Sequence, residues 1–306
     1  MNFADADRTP TGPDAEPGSD AETGPDAKPT GPDAETGPDA KPTGPAAEPA
    51  DPAAAGDATR GPIDHDGRRD ELSAALAEVR RRIAEAATAA GRQAAEVRLV
   101  AITKTFPAED AALLADLGVT DLGENRDQEA GEKAAEVREL GPDRRPRWHM
   151  VGRLQRNKAR SVVGWADVVQ SLDSVRLADA LSRAARVAMD EGRRSTPLDV
   201  LLQASLDDDP ERGGCPLDGL AALADHAAGL DGLRLVGVMA VAPLGADPDR
   251  AYATLWQAST TLRARHPQAS EVSAGMSGDL ESAIRQGSTC VRVGTALLGG
   301  RRIASP

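Results

Sequence analysis

The sequence predicts an α/β fold: a single (β/α)8 TIM-type barrel preceded by a disordered N-terminal tail. Three observations carry this expectation. Eight short apolar segments alternate with helical patterns, the arrangement of a parallel sheet with helical crossovers. The folding part spans about 240 residues, an ordinary barrel length. The turn after the first apolar segment, Lys104-Thr105-Phe106-Pro107, holds no glycine, whereas a doubly wound open sheet normally offers a Gly-rich turn there. The doubly wound sheet stays open as the alternative.

The tail is set apart by composition. From Met1 to Pro62 the only large apolar residues are Met1 and Phe3, and 12 of the 22 prolines fall there. TGPDA units recur at Thr11, Thr23, Thr30 and Thr36. Such a segment buries too little apolar surface to offset the entropy of ordering it. The expected division is therefore an acidic Pro/Gly-rich repeat tail over 1–66 and a barrel over 67–303. Through Asp66 there are 15 acidic and 4 basic residues, so most of the net charge of −13 lies in the tail and the remainder is close to neutral. A near-neutral folded part gives no argument for nucleic acid. The tail has neither the basic start nor the apolar run of a signal peptide, and no apolar run is long enough to span a bilayer. Cys215 and Cys290 match no metal spacing and suit a reducing, cytoplasmic setting. Aromatic residues make up only 2%, so Leu, Val, Ile and Ala must build the core.

Each element follows from its pattern. Leu72, Leu76, Val79 and Ile83 recur at helical spacing, which predicts a helix over 70–90 ended by Gly91. Strand one is expected over 97–103, then a helix over 107–117 stopped by Gly118. Strand two is expected over 119–122, a charged helix over 127–140, strand three over 148–151, and a short helix in GRLQRNKAR. Strand four spans 168–172, with Asp173 or Ser174 capping a helix to about Glu191. Strand five (198–203) leads into the polar loop SLDDDPERGGCP and a helix over 217–228. Strand six (233–239), a helix over 248–265, strand seven (271–274), a helix over 279–285 and strand eight (290–293) complete the barrel.

In a barrel the groups after the strand C-terminal ends share one mouth. Here they are Lys104, Asn125, His149 to Gly152, Ser171 to Asp173, Gln203 to Ser205, Met239 to Pro243, Ser273 to Ser277, and Arg292 to Thr295. Lys104 ends an apolar strand, the setting in which an amine becomes a nucleophile toward aldehydes; a solvated loop lysine is the plain alternative. Barrels often bind phosphate with the loops after strands seven and eight. Gly275-Met276-Ser277-Gly278 and Gly294-Thr295 supply close backbone approach, free amides and hydroxyls at both places. Arg292 lies within strand eight and can point into the lumen. It stays protonated, so beside a pyridine nitrogen it would keep that nitrogen unprotonated; pairing with a barrel carboxylate is the alternative.

Taken together, LVAITKT, LGENRDQE, WHMVGRLQRNK, VQSLDS, VGVMAVAP and SAGMSGDLESAIRQGSTCVRVGTALLG resemble the pyridoxal phosphate homeostasis protein family (the YggS/PROSC type) from about Asp70 to Gly300. The resemblance implies a barrel like the N-terminal domain of alanine racemase, with pyridoxal 5′-phosphate held as an aldimine on Lys104. It implies a role in intracellular vitamin B6 and amino- and keto-acid homeostasis without established catalysis. It places Asn125 near the cofactor and His149 at the mouth. Met276, Ser277, Gly294 and Thr295 hold the phosphate, and Arg292 faces the pyridine nitrogen; Ser273 joins them in the cofactor-binding set. Three positions depart from the family pattern: Arg126 after GEN, Ala274 before GMS, and Ser205 in the strand-five loop.

A racemase-like enzyme is the alternative function. Two-base chemistry would need a second acid/base, which in alanine racemases is a tyrosine from a C-terminal domain. The sequence offers only Tyr252, in a helix, and no second domain after strand eight, so a monomer is expected. His149 is the remaining candidate base, while His65, His226 and His266 read as solvated. A barrel enzyme for another phosphorylated substrate is a third reading. Expected partners are PLP itself, PLP-dependent apoenzymes and a tail-binding protein, with no nucleic acid, membrane or metal.

Overall fold

The computed structural model describes residues 65–300 except 142 and 208–212, and residues 1–64 of the expected tail lie outside them. Eight parallel strands close into a barrel in chain order. They are β1 (Arg98–Ile102), β2 (Asp121–Glu124), β3 (Arg147–Met150), β4 (Val168–Leu172), β5 (Leu198–Gln203), β6 (Leu233–Met239), β7 (Glu271–Ser273) and β8 (Cys290–Val293). The helices are α1 (His65–Ala89), α2 (Ala108–Asp116), α3 (Asp127–Leu140), α4 (Ala159–Val162), α5 (Val175–Asp190), α6 (Leu220–Ala228), α7 (Pro248–Arg265), α8 (Leu280–Arg285) and α9 (Thr295–Leu298). The barrel is the expected fold, and closure between β1 and β8 excludes the open sheet.

Period-two alternation divides each strand between two environments. Outward residues such as Ala101, Leu122, Trp148, Val200, Val272 and Val291 pack under the helices. Val100, Ile102 and Cys290 form a lumen cluster, and Val168, Leu201 and Met239 form another. The stripe Leu72, Leu76, Val79 and Ile83 is buried, which seats α1 in the helix ring against α8, α9 and α2. Each of these fully buried side chains contributes about 2 kcal/mol through surface removed from water.

Several boundaries differ from the sequence reading, and α1 begins at His65, five residues before the expected start and inside the expected tail. Strand two runs two residues later, because Val119 packs in the outer core beside α2 while Asp121 to Glu124 carry the ladder. The GRLQRNKAR segment is a 3-10 turn over 156–158 followed by the single turn α4. The helix after β5 starts at Leu220 rather than Leu217, since Pro216 to Gly219 form a turn.

Candidate functional site at the C-terminal mouth

Lys104 sits in the turn directly after β1, half-buried, and its amine bonds to nothing among the described residues. Its two neighbours are tethered. Thr103 Oγ1 donates to Glu124 Oε1 at 2.6 Å, and the Thr103 carbonyl accepts from Lys133 Nζ at 2.8 Å. Thr105 N donates to Glu129 Oε1 at 2.8 Å. Thr105 is the one non-glycine residue with positive φ (67°) among the described residues. A β-branched residue in that region is strained, and such strain persists only where the surroundings over-determine it. The surroundings here are a buried ion pair: Lys133 Nζ lies 2.6 Å from Glu124 Oε1 and 3.3 Å from Glu129 Oε1. Burial pushes the Glu124 carboxyl above its ordinary range against the pull of Lys133. Glu124 Oε2 has no hydrogen-bond partner.

Strand pairing gathers the other candidates around Lys104. Ile102 pairs with Gly123, which brings Asn125 alongside. Asn125 is half-buried, and its backbone lies so close to Gly152 that a Cβ there would sit 2.2 Å from the Asn125 carbonyl oxygen. Ala101 pairs with Val293, which brings Gly294 and Thr295 next to the β1 end. The two expected phosphate loops meet, since Ala296 N donates to Ser277 Oγ at 3.2 Å. Gly275 opens the first loop at φ 93°, and a Cβ there would lie 2.6 Å from Ala283 Cβ. Asp279 shapes the loop by accepting from Met276 N at 2.6 Å and from the Tyr252 hydroxyl at 2.7 Å. Lys104, Asn125, Met276, Ser277, Gly294 and Thr295 are all at least partly exposed. Of the departing positions, Arg126 is exposed and Ala274 is packed in the wall.

The mouth position expected for His149 is not where the structure puts it. His149 is 0% exposed, in mid-strand. Its Nε2 is 2.9 Å from Asp121 Oδ1 and its Nδ1 is 2.9 Å from Gln170 Nε2. Ser273, also 0% exposed, belongs to the same lumen chain. Arg292 Nη1 donates to Ser273 Oγ at 2.6 Å, and Ser273 Oγ donates to Gln170 Oε1 at 2.7 Å. The other Arg292 tip donates to the Ala240 carbonyl at 2.8 Å. Arginine offers only donors, so every link has one direction. Ser273 accepts from Arg292, Gln170 donates to Nδ1, and Nε2 carries the His149 proton toward Asp121. With both nitrogens engaged, His149 is not a free base. Burial lowers the Arg292 pKa from its ordinary value, though arginine remains a cation. Burial also works against an ionised Asp121, but bonds from His149 and Thr120 and the Arg98 charge outweigh it and hold this carboxyl below its usual range.

The remaining histidines with described side chains are paired. His226 Nε2 is 2.7 Å from Asp179, and the largely buried His266 is 2.8 Å from Asp225, so His266 is not solvated as expected. Tyr252 is buried on α7. Sequence reasoning missed Gln170, Asp121, Glu124 and Lys133.

The family pattern described as alanine racemase, N-terminal domain, matches residues 75–302. A pyridoxal phosphate homeostasis protein from Mycobacterium tuberculosis is 49% identical over 251 residues, covering 78% of this chain and 96% of that protein. The chain belongs to the pyridoxal phosphate homeostasis protein family. Within it, the structure of PipY from Synechococcus elongatus with PLP bound is 32% identical, with a TM-score of 0.63 over 74% of this chain and all of the other. Alanine racemase from Corynebacterium glutamicum shares the fold, with a TM-score of 0.55 at 14% identity over 78% of this chain and 62% of its own. Among the described residues no helix is long and apolar enough to cross a membrane, and no cluster of His, Cys, Asp and Glu could hold a metal.

Proposed function

We propose that this chain holds pyridoxal 5′-phosphate at the C-terminal mouth, anchored through Lys104, and serves cytoplasmic vitamin B6 and amino- and keto-acid homeostasis as a holder rather than an enzyme. The observation that carries the reading is the unpartnered Lys104 amine at the end of β1, beside two joined glycine loops. The residues present fit the group. Ser277, Gly294 and Thr295, with the Met276 backbone, supply hydroxyls and amides for a phosphate, and Asn125 borders the ring. PLP supplies an aldehyde and an electron-withdrawing pyridine ring. We assign Arg292 to the ring nitrogen, where a permanent cation leaves that nitrogen unprotonated and the ring a weak electron sink.

Exposure separates two roles within the expected cofactor-binding set. Arg292 keeps a slight exposure of 5%, whereas His149 and Ser273 keep none. His149 and Ser273 therefore act through Arg292 rather than by contact. Having no free nitrogen, His149 does not supply the second base that racemisation requires, and the Tyr252 hydroxyl is held by Asp279. These features support holding over racemisation. Two buried free thiols suit a reducing compartment. We take the barrel to act as a monomer that exchanges PLP with apoenzymes, with 1–66 as a separate solubilising or partner-binding tail.

The test is the visible spectrum of the purified protein beside Lys104→Ala, with and without borohydride. A yellow protein, a reduced adduct mapping to Lys104, and loss of both in the variant support the reading. Added amino acids should leave the wild type without turnover. A colourless wild type that stays colourless with PLP overturns it.

A further inference from the structure

The end of the barrel opposite Lys104 carries a polar cavity of about 340 Å³ that the cofactor reading does not use. It is built from the first residues of the strands and the segments before them: Arg98, Arg147, Arg194 and Arg234 with Asp199 and Glu271. We propose that this cavity is a binding site for a small oxyanion, an inorganic phosphate or a short carboxylic acid. The proposal is independent of PLP binding, so either can fail alone.

The argument rests on donors. Asp199 is buried and accepts from both Arg147 Nη2 and Arg234, the latter through Nε at 2.5 Å and Nη2 at 2.8 Å. Glu271 accepts both of its bonds from Arg98 Nη1, at 3.0 and 3.1 Å. These carboxylates hold each arginine by part of its fork. Arg98 Nη2, Arg147 Nη1 and Arg234 Nη1 donate to nothing among the described residues, and Arg147 Nη1 stands 3.9 Å from Asp121 Oδ1, beyond hydrogen-bond reach. Arg194 bonds no carboxylate; its nitrogens donate to the carbonyls of Val163, Ala166, Asp167 and Thr196. With Asp167 as the third acid, the lining holds four guanidinium groups against three carboxylates. Asp121 lies behind it, bonded to His149 and with its Oδ1 3.9 Å from both Arg98 Nε and Arg147 Nη1, so it balances the fourth guanidinium charge. An anion entering the cavity meets unused donors set in planar forks, the geometry that recognises phosphate or carboxylate. The volume lies at the small end of ligand cavities, which suits a phosphate or a short dicarboxylate.

A salt-bridge ring that only stabilises the barrel floor is the competing account. Residue-resolved arginine modification decides between them. The full-length protein is treated with phenylglyoxal in rising concentrations of inorganic phosphate, malonate, or chloride at matched ionic strength, and peptides are read by mass spectrometry. Saturable protection of Arg98, Arg147 and Arg234 by phosphate or malonate, with the exposed Arg186 of α5 unprotected, supports the site, and whichever anion protects names its source. Arg147→Gln should weaken protection of the other two by about tenfold, the scale of one charge-assisted hydrogen bond. Asp199→Asn frees the donors of Arg147 and Arg234 and should tighten binding. Protection equal to that of chloride, or affinity unchanged in both variants, overturns the proposal. Should Arg147→Gln not fold, the sign of the Asp199→Asn effect alone decides.

Discussion

Replacing Lys133 by Met tests whether the buried ion pair under the Lys104 turn is what holds it. Lys133 and Glu124 have side chains 5% and 0% exposed. Methionine keeps most of the length of the side chain and removes the charge and its N–H donors. Glu124 would then be a buried carboxylate with one hydroxyl donor, Thr103, and the Thr103 carbonyl would keep only the Phe106 N–H. Breaking a buried pair from one side costs about 3–5 kcal/mol. The size should depend on pH. Burial already raises the folded-state pKa of Glu124, so its contribution is fully present below the unfolded value and is lost as pH rises through the folded one. Without Lys133 the folded value rises further, so the deficit of the variant should be large at neutral pH and shrink under mildly acidic conditions, where Glu124 takes up a proton. Urea unfolding followed by circular dichroism, wild type beside variant at both pH values, measures this. Adding Glu124→Gln to Lys133→Met removes the buried charge and should recover most of the loss. A deficit under about 1 kcal/mol, the range of a surface pair, or one independent of pH, would refute the reasoning.

Further outcomes follow from other parts of the barrel. Cys290, whose thiol burial pushes up to about 11, and Cys215, raised by burial and nearby acids, should ignore a disulfide reagent in the native state; prompt reaction of either before denaturation contradicts the burial. Gly275→Ala places a Cβ at positive φ against Ala283 and should cost about 1–3 kcal/mol, with PLP content falling further than in a control of equal stability loss. Asp121, held below its usual range, contributes stability above its unfolded pKa that is lost as pH falls through the folded value. Asp121→Asn should therefore flatten the acid limb of the stability curve, and an unchanged limb counts against the pairing with His149. Ser273→Ala breaks the lumen chain beside Arg292 and should shift the visible band of bound PLP or its pH profile while Lys104 still forms the reduced adduct; an unchanged spectrum and profile argue that Arg292 holds its place without the chain.

Local pattern made some features legible and hid others. Lys104 could be read because an apolar strand ends abruptly there, and the two glycine loops because they follow the last two strands. The position of His149 could not be read from WHMVG alone. His149 lies inside the expected strand as it does inside β3, and what the local pattern does not show is that Asp121 and Gln170 from neighbouring strands meet its ring in the lumen. Lys133 had a signal that went unused. On a helix read only as a charged one, Ala130, Ala134 and Val137 mark the buried stripe, and Lys133 lies on it at helical spacing. A lysine in that place needs a buried anion, and Glu124 of the GEN segment was the nearest available.

The floor arginines were visible as single charges at strand starts, but their grouping was not. Arg98, Arg147 and Arg234 lie on three different strands, and only closure of the ring and the stagger of its strands bring them to one cavity. The same closure joins the two ends of the molecule. Asp121, beside the floor arginines, accepts from His149, and the chain through Gln170 and Ser273 ends on Arg292 near the mouth. A lumen filled only with Val, Ile and Leu would pack as well at less desolvation cost. The polar chain fixes one orientation and one charge at Arg292, an orientation that the surrounding apolar residues do not specify. Under the proposed role of holding a cofactor without activating it, that is a reason for the barrel to keep hydrogen bonds in its core.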